Sequence, residues 1–482
     1  MNTPYGELLV ALRPELCLVV GALVALAVDL PKSSRSPTQR LQISSTIGAI
    51  AIIAALVCGL DAGLPGQLFS GVFNLDMLAQ ASRAGVLGLA LLTLGITAGT
   101  SRLRHPAEFV AIILFATAGF TLMAVAQQLL LAFLALELAS LSLYVLAGFD
   151  KTRPESAEAA LKYFLFGGVS AAFMLFGFSL IYGITGSIEL PEIAHRLAMT
   201  DTSPLLMVAL VMVLVAFGFK AAAAPFHLWA PDVYEGAPAP ASALIASASK
   251  LAGFTLFLRL LWPGLGAVSG NLTGTAGWLP VVALIAVASM LLSNLAALAQ
   301  SNVRRLLAYS AIAHAGALLL GVIAAGTSGP SPVFYYAATY GLATVGAFGV
   351  IAVIERTGPC HSLSDLAGLR TRSPLLTGCL FVFILSLAGI PPLAGFVGKF
   401  VVFSAALKLG GLAGWMALLA IFLSAIALYY YLLILKQALV VPAAAPTSAP
   451  LRVPPVAAFA LLITAGLIVL LGLWPSLLLG LF

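Results

Sequence analysis

Runs of apolar residues about twenty long recur from one end of this 482-residue sequence to the other, with short polar stretches between them. A helix of about 20 apolar residues covers the roughly 30 Å hydrocarbon layer of a membrane. By that ruler the chain divides into fourteen spans, at about 9–29, 41–60, 76–100, 108–126, 128–148, 159–183, 204–229, 239–262, 277–299, 305–326, 332–355, 374–409, 412–437 and 455–478. The stretches between them carry turn-formers: Pro31 to Pro37, Gly63 to Gly66, Arg153-Pro154-Glu155, Gly329-Pro330 and a proline-rich 442–455. None is long enough for a folded domain outside the membrane. The spans must be helical, because an open sheet would leave backbone groups unpaired in lipid. The pattern therefore predicts an all-α polytopic membrane protein.

Two spans depart from a plain helix. Segment 7 is interrupted at Ala224-Pro225, with Pro231, Pro238 and Pro240 following, and segment 12 is interrupted at Gly389-Ile390-Pro391-Pro392 and is too long for one straight crossing. Proline removes a helical hydrogen bond and clashes with the preceding turn. Backbone freed in this way is tolerated at depth only where protein buries it or a wet cavity meets it. The two broken spans lie five apart, so they cross in opposite directions, and they predict inverted repeats of segments 4–8 and 9–13. The expected organisation is a three-helix segment at 1–107, a first repeat at 108–263, a second at 264–410 (reaching about 437 with its last helix) and a C-terminal helix at 438–482.

Composition narrows the class. Hydrophobic residues make up 61% and charged residues only 8%, against roughly 25% charged in soluble proteins. A soluble enzyme, a nucleic-acid binder and a disordered chain are excluded, and the net charge of +6 reports loop sidedness instead. With the N-terminus outside, the inner loops hold fourteen basic residues (Lys32, Arg35, Arg40, Arg102, Arg104, Lys151, Arg153, Arg304, Arg305, Arg356, Arg370, Arg372, Lys436, Arg452) and the outer segments three (Arg13, Arg196, Lys408). Both termini are thus expected on the outer side. No cleavable signal peptide is evident, since the first apolar stretch follows Glu7, Arg13 and Glu15 and runs on into further spans. The four cysteines, Cys17, Cys58, Cys360 and Cys379, are scattered and signal neither a disulfide framework nor a zinc site.

The chemistry lies in charges placed where charge is expensive. Arg83, Lys162, Lys220, Lys250, Arg259 and Lys399 fall inside spans, with Glu137 the one acid at mid-span. An ion at the bilayer centre costs roughly 2.5–3.5 kcal/mol on insertion scales. Burial favours the uncharged form of lysine or glutamate, and a nearby opposite charge favours the charged form. A Glu–Lys pair whose separation changes can therefore load and release a proton. Each residue alone is equally well read as a structural ion pair, but four of them, Glu137, Lys220, Lys250 and Lys399, two beside broken helices, point to a proton path. His314, near the middle of segment 10, and His227, after the break in segment 7, are secondary candidates. Lys162 sits within a turn of the inner face, where snorkelling explains it and a link toward Glu137 is the alternative. Arg83 and Arg259 read as anchors near the outer ends, and Asp232 and Glu235 as an inner loop capping helix ends. No Walker loop, dinucleotide glycine fingerprint or haem-like histidine pair is present, so no cofactor is expected in this chain.

These motifs resemble a known family. ALELASLSLYVLAGF with Glu137, GFKAAAAPFHLWAPDVYEGAP with Lys220, SASKLAGF with Lys250 and AGIPPLAGFVGKF with Lys399 are similar to the antiporter-like N subunits of bacterial NADH:quinone oxidoreductase, respiratory complex I. The stretch RPESAEAALKYFLFGGVSAAFMLFGFSLIYGITGS, and an end soon after segment 14, resemble N rather than its L and M relatives. The resemblance implies a proton-translocating membrane-arm subunit of the bacterial inner membrane. In it Glu137 and Lys220 form the input pair, Lys250 connects and Lys399 serves the output side. It also implies M, K and J-type neighbouring subunits, with NADH, FMN, iron–sulfur clusters and quinone handled by partners. The rival readings are a stand-alone cation/proton antiporter of the same superfamily and a structural assembly subunit.

Overall fold

The computed structural model describes residues 4–30, 36–60, 66–68, 71–100, 103–200, 203–442 and 450–482. Lys32, Arg35 and Arg102, used above to assign sidedness, lie outside the described residues, as do half of the proline-rich stretch and parts of the loops at 31–37 and 63–66.

Proline in the first turn starts many of the helices, because it supplies a helical φ where an N–H would go unpaired. Pro4–Ala11 (α1) leads through Leu12 into Arg13–Asp29 (α2), and Pro37–Leu60 (α3) returns beside it. A two-stranded antiparallel hairpin, Gln67–Leu68 (β1) with Phe73–Asn74 (β2), precedes Met77–Thr97 (α4). Asp76 caps α4 by accepting from the Ala79 N–H at 2.8 Å. Pro106–Val125 (α5), Leu129–Ala147 (α6) and Pro154–Thr185 (α7) complete the next three crossings. Leu190–Ala198 (α8) is a short amphipathic helix between spans that the hydropathy pattern did not reveal.

Segment 7 is Pro204–Ala221 (α9), which stops and is followed by the short Trp229–Gly236 (α10). Segment 8 was expected to be continuous. It is instead two helices, Ala239–Ala246 (α11) and Ala248–Arg259 (α12), parted at Ser247, whose φ −113° and ψ −86° lie outside the helical well. Trp278–Leu298 (α13), Val303–Ser328 (α14) and Ser331–Ile354 (α15) follow, then the single turn Leu369–Arg372 (α16). Segment 12 is split, as expected, into Pro374–Ala388 (α17) and Ala394–Leu409 (α18). Gly411–Leu439 (α19), Pro455–Leu473 (α20) and the terminal turn Ser476–Leu479 (α21) close the chain. Among the described residues, twelve helices are long and apolar enough to cross a membrane. The first span (α2) and the split segment 12 account for the other two expected crossings.

The α11–α12 segment is wholly buried and α14 and α15 nearly so, forming the centre of the bundle, while α3, α7 and α20 keep long apolar faces exposed. Without a hydrophobic driving force in lipid, helices associate by close packing through small residues. Gly119 on α5 shows this, since a Cβ there would come within 2.6–2.9 Å of Ala139 on α6. At one end of the bundle, residues 100, 103–105, 149–153, 238–239, 352 and 355 meet around a cavity of about 130 Å³. Parts of four segments thus share one end of the bundle.

Candidate functional site

Both broken spans stop in the same way. A left-handed residue ends the helix, Ala222 (φ 56°) after α9 and Gly389 (φ 84°) after α17, and a cis-proline bond follows, Ala224–Pro225 and Pro391–Pro392. Ala222 is the one non-glycine residue with positive φ among the described residues. The freed backbone groups find new partners, as lipid depth demands. The Ala224 N–H donates to Ser289 Oγ at 2.8 Å, and Phe219 O accepts from Trp229 Nε1 at 3.2 Å. In the second break the Gly395 N–H donates to Ser386 Oγ at 3.1 Å, while Ala388 O accepts from Lys399 Nζ at 2.9 Å. Lys399 is thus held by a carbonyl that exists as a free acceptor only because the helix is broken.

Lys220, Lys250, His314 and Lys399 are only 5%, 2%, 5% and 8% exposed. They lie on α9, α12, α14 and α18, and each communicates with the next. Glu137 on α6 is within electrostatic reach of Lys220 but makes no direct ion pair with it, and Glu137 Oε1 is buried without a hydrogen-bond partner. Lys220 instead donates to Ser140 Oγ at 3.4 Å, one turn along α6, and sits 5.7 Å from the Phe120 ring centre. Lys220 and Lys250 line one small cavity of about 10 Å³ with Phe217, Gly253, Phe254 and Phe257, about the volume one water needs.

Beyond Lys250 the path becomes aromatic. Its ammonium donates to the carbonyl of Ala311 on α14 and lies 5.3 Å from the Tyr340 ring centre. The same tyrosine ring is 4.8 Å from that of His314. His314 pairs through Nδ1 with Tyr336 Oη at 2.7 Å and through Nε2 with Tyr431 Oη at 3.0 Å. His314, Tyr336, Tyr431 and Lys399 then line a second cavity, of about 20 Å³. The structure therefore brings the half-buried Glu137 and the buried Lys220, Lys250, His314 and Lys399 into one row across the middle of the bundle. Tyr336, Tyr340, Tyr431 and Ser140 were missed in the sequence, where a hydroxyl in an apolar span carries no mark of what it faces.

Lys162 and His227 stand apart from this row. Lys162 does not reach toward Glu137. It is 37% exposed and pairs with Glu158 at 2.6 Å and Asp232 at 2.5 Å. Nor are Asp232 and Glu235 mere loop caps. Arg305 bridges them, at 2.6 Å and 2.9 Å, so that α7, α10 and α14 are tied together at one end of the bundle. Burial alone would raise the Asp232 carboxyl, but the hydrogen bonds and charges of Lys162 and Arg305 hold it below the usual carboxylate range. His227 is half-buried in the bend after α9, next to the exposed Leu228. Arg83 and Arg259, expected as interfacial anchors, are buried ion-pair partners. Arg83 meets Glu15 at 2.9 Å, and Arg259 meets Asp76 and the carbonyl of Ala124. Arg13 and Glu15 themselves lie within α2 rather than ahead of it.

Comparison with known proteins agrees with this architecture. Residues 126–426 match the family model described as NADH:quinone oxidoreductase/Mrp antiporter, TM. NADH-quinone oxidoreductase subunit N 2 of Acidobacterium capsulatum is 48% identical over 98% of this chain and 98% of its own. Subunit N of Nitrosomonas europaea is 36% identical over 97% and 96%. A chain of respiratory complex I from Thermus thermophilus superimposes with TM-score 0.80 at 36% identity, over 97% of this chain and 98% of that one. A chain of the Mrp complex from Dietzia shares the fold alone, with TM-score 0.79 at 24% identity over 98% and 96%. By sequence over nearly its whole length, this chain, whose two broken helices carry the buried Lys220 and Lys399, belongs to the antiporter-like N-subunit family of NADH:quinone oxidoreductase.

Proposed function

We propose that this chain is a proton-translocating membrane-arm subunit of NADH:quinone oxidoreductase, moving protons along Glu137, Lys220, Lys250, His314 and Lys399. The observation that carries the reading is the row itself. Three lysines and a histidine, each less than a tenth exposed, follow one another through shared cavities and shared tyrosines rather than ending in ion pairs. Structural lysines in this fold look different, as Lys162 shows with its two carboxylates.

The mechanism is electrostatic. Redox chemistry in partner subunits alters the charge beside the subunit and shifts the distance between Glu137 and Lys220. With Glu137 near, Lys220 keeps its proton; as Glu137 withdraws, the desolvated ammonium releases it toward Lys250. The cavity between the two lysines has room for one bridging water. From Lys250 the proton passes the His314–Tyr336–Tyr431 group and reaches Lys399, whose ammonium leans on the broken end of α17. NADH, FMN, iron–sulfur clusters and quinone belong to partner subunits in this reading, and no cofactor to this chain. The M, K and J-type membrane subunits are the proposed neighbours. Bacterial inner membrane with both termini periplasmic is the proposed setting, and two inverted repeats at 108–263 and 264–410 the proposed organisation. Lys162 and His227 are left outside the path.

The test is NADH-driven acidification of vesicles carrying the complex with Lys220→Ala or Glu137→Ala. Lost acidification with the complex assembled supports the pump. Lost assembly alone makes the chain a scaffold. Cation/proton exchange by the isolated subunit, with no NADH-oxidising assembly in native extracts, makes it a stand-alone antiporter.

A further inference from the structure

The four cysteines looked unrelated in sequence, but the fold brings two of them together. Cys17 on α2 and Cys58 on α3, 41 residues apart, have their sulfurs 3.9 Å from each other, and both are free thiols. They sit in a tight antiparallel seam. One turn deeper, a Cβ at Gly21 would come within 2.2 Å of the Ala51 Cβ, so glycine lets the two helices close up. At the other side of the pair, Pro14 packs 3.8 Å from the position a Cβ on Gly59 would take. Cys17 lies in the second turn of α2 and Cys58 in the last turn of α3. Both are therefore at the same end of the bundle, and both are part-exposed.

We propose that Cys17 and Cys58 form a cystine that staples α2 to α3 at the outer surface. The proposal rests on the reading that puts the N-terminus on the outer side, where an oxidising compartment preserves disulfides. A disulfide needs sulfurs about 2.05 Å apart, so the two thiols must approach from their 3.9 Å separation as the bond closes. The reaction is thiol–disulfide exchange with a disulfide-bearing oxidant on the outer side. One cysteine, as thiolate, attacks a sulfur of that oxidant, breaking its S–S bond and forming a mixed disulfide. The second cysteine then displaces the remaining oxidant sulfur and closes the Cys17–Cys58 bond. Two electrons and two protons leave with the oxidant, which departs as two thiols. The buried Glu15–Arg83 pair lies immediately beside the staple, so the cross-link fixes the helix end that holds this charge pair.

The experiment uses membranes containing the whole complex. Free thiols are trapped with N-ethylmaleimide before solubilisation, and the subunit is peptide-mapped without reduction. The expected product is a Cys17 peptide joined to a Cys58 peptide, lighter than their sum by two hydrogens. Both sites should become alkylatable only after reduction, and Cys17→Ser should leave Cys58 free. Complete alkylation of both without reduction overturns the proposal. A membrane-impermeant charged maleimide then says which premise failed. Labelling from the outer face means that the sidedness stands and the cystine does not. Labelling only in inverted vesicles means that the sidedness itself is wrong. Cys360 and Cys379, both buried in the second half of the chain, are replaced by serine in the background so that no other thiol of this chain contributes.

Discussion

Replacing Lys250 by methionine separates a proton carrier from a structural charge. Methionine keeps nearly the length and volume of the lysine stem, so packing changes little. Lys250 is 2% exposed, with no carboxylate at ion-pair distance among the described residues and one hydrogen bond, to the carbonyl of Ala311. Removing an ammonium from membrane depth relieves roughly 2.5–3.5 kcal/mol on insertion scales. Losing a hydrogen bond made by a charged group costs about 1.5–3 kcal/mol. The balance runs from about 0.5 kcal/mol against the variant to about 2 kcal/mol in its favour. Lys250→Met should therefore assemble about as well as the parent or better and withstand graded heating to a similar or greater extent, read as subunit retained in the complex on native gels. NADH-driven acidification should fall to background. The opposite pair of results, a variant that pumps normally but falls out of the complex on mild heating, would refute the reasoning, because it would make Lys250 a stabilising element with no part in transport.

Three further outcomes follow from the geometry. Glu137→Gln and Lys220→Met should each abolish pumping, and their effects on assembly should be less than additive, with a coupling of about 0.5–3 kcal/mol in a double-mutant cycle; strict additivity means that the two charges do not sense each other. Gly389→Ala places a Cβ at φ 84° and 2.9 Å from the Lys399 stem, costing roughly 1–2 kcal/mol for the left-handed backbone; reduced acidification in an assembled complex is expected, and unchanged activity would show that the lysine is not held by the break. Asp232, its carboxyl held low by Lys162 and Arg305, stabilises the fold fully above the unfolded aspartate value near pH 4, and that contribution disappears as pH falls through the lower folded value; Asp232→Asn should remove this acid-dependent loss, and heat resistance measured against pH distinguishes the two proteins.

The site shows where sequence reasoning reached its limit. Glu137, Lys220, Lys250 and Lys399 stood out because an ion in an apolar span is conspicuous whatever surrounds it. Arg83 and Arg259 stood out equally, and were read as anchors because their partners, Glu15 and Asp76, lie in other parts of the chain. Lys162 shows the same limit, since its distance from Glu158 is visible along a helix but its contact with Asp232 on α10 is not. The break at Ser247 has neither proline nor glycine to announce it. It is imposed where α11 and α12 pass through the fully buried centre of the bundle.

What the sequence determined by itself was the one-dimensional part: fourteen crossings, the two proline breaks and the residues whose charge lipid makes expensive. A membrane imposes a fixed thickness and a uniform penalty for unpaired polar groups, so span length, interruption and misplaced charge can be read position by position. Only the tertiary structure decided which charges end in ion pairs and which form a row. It set Lys220 and Lys250 on one cavity, His314 between Tyr336 and Tyr431, and the sulfurs of Cys17 and Cys58 side by side. Those relations join residues on different helices. They depend on how helix faces pack, and in lipid packing is set by close steric fit rather than by a hydrophobic pattern that a single strand of sequence displays.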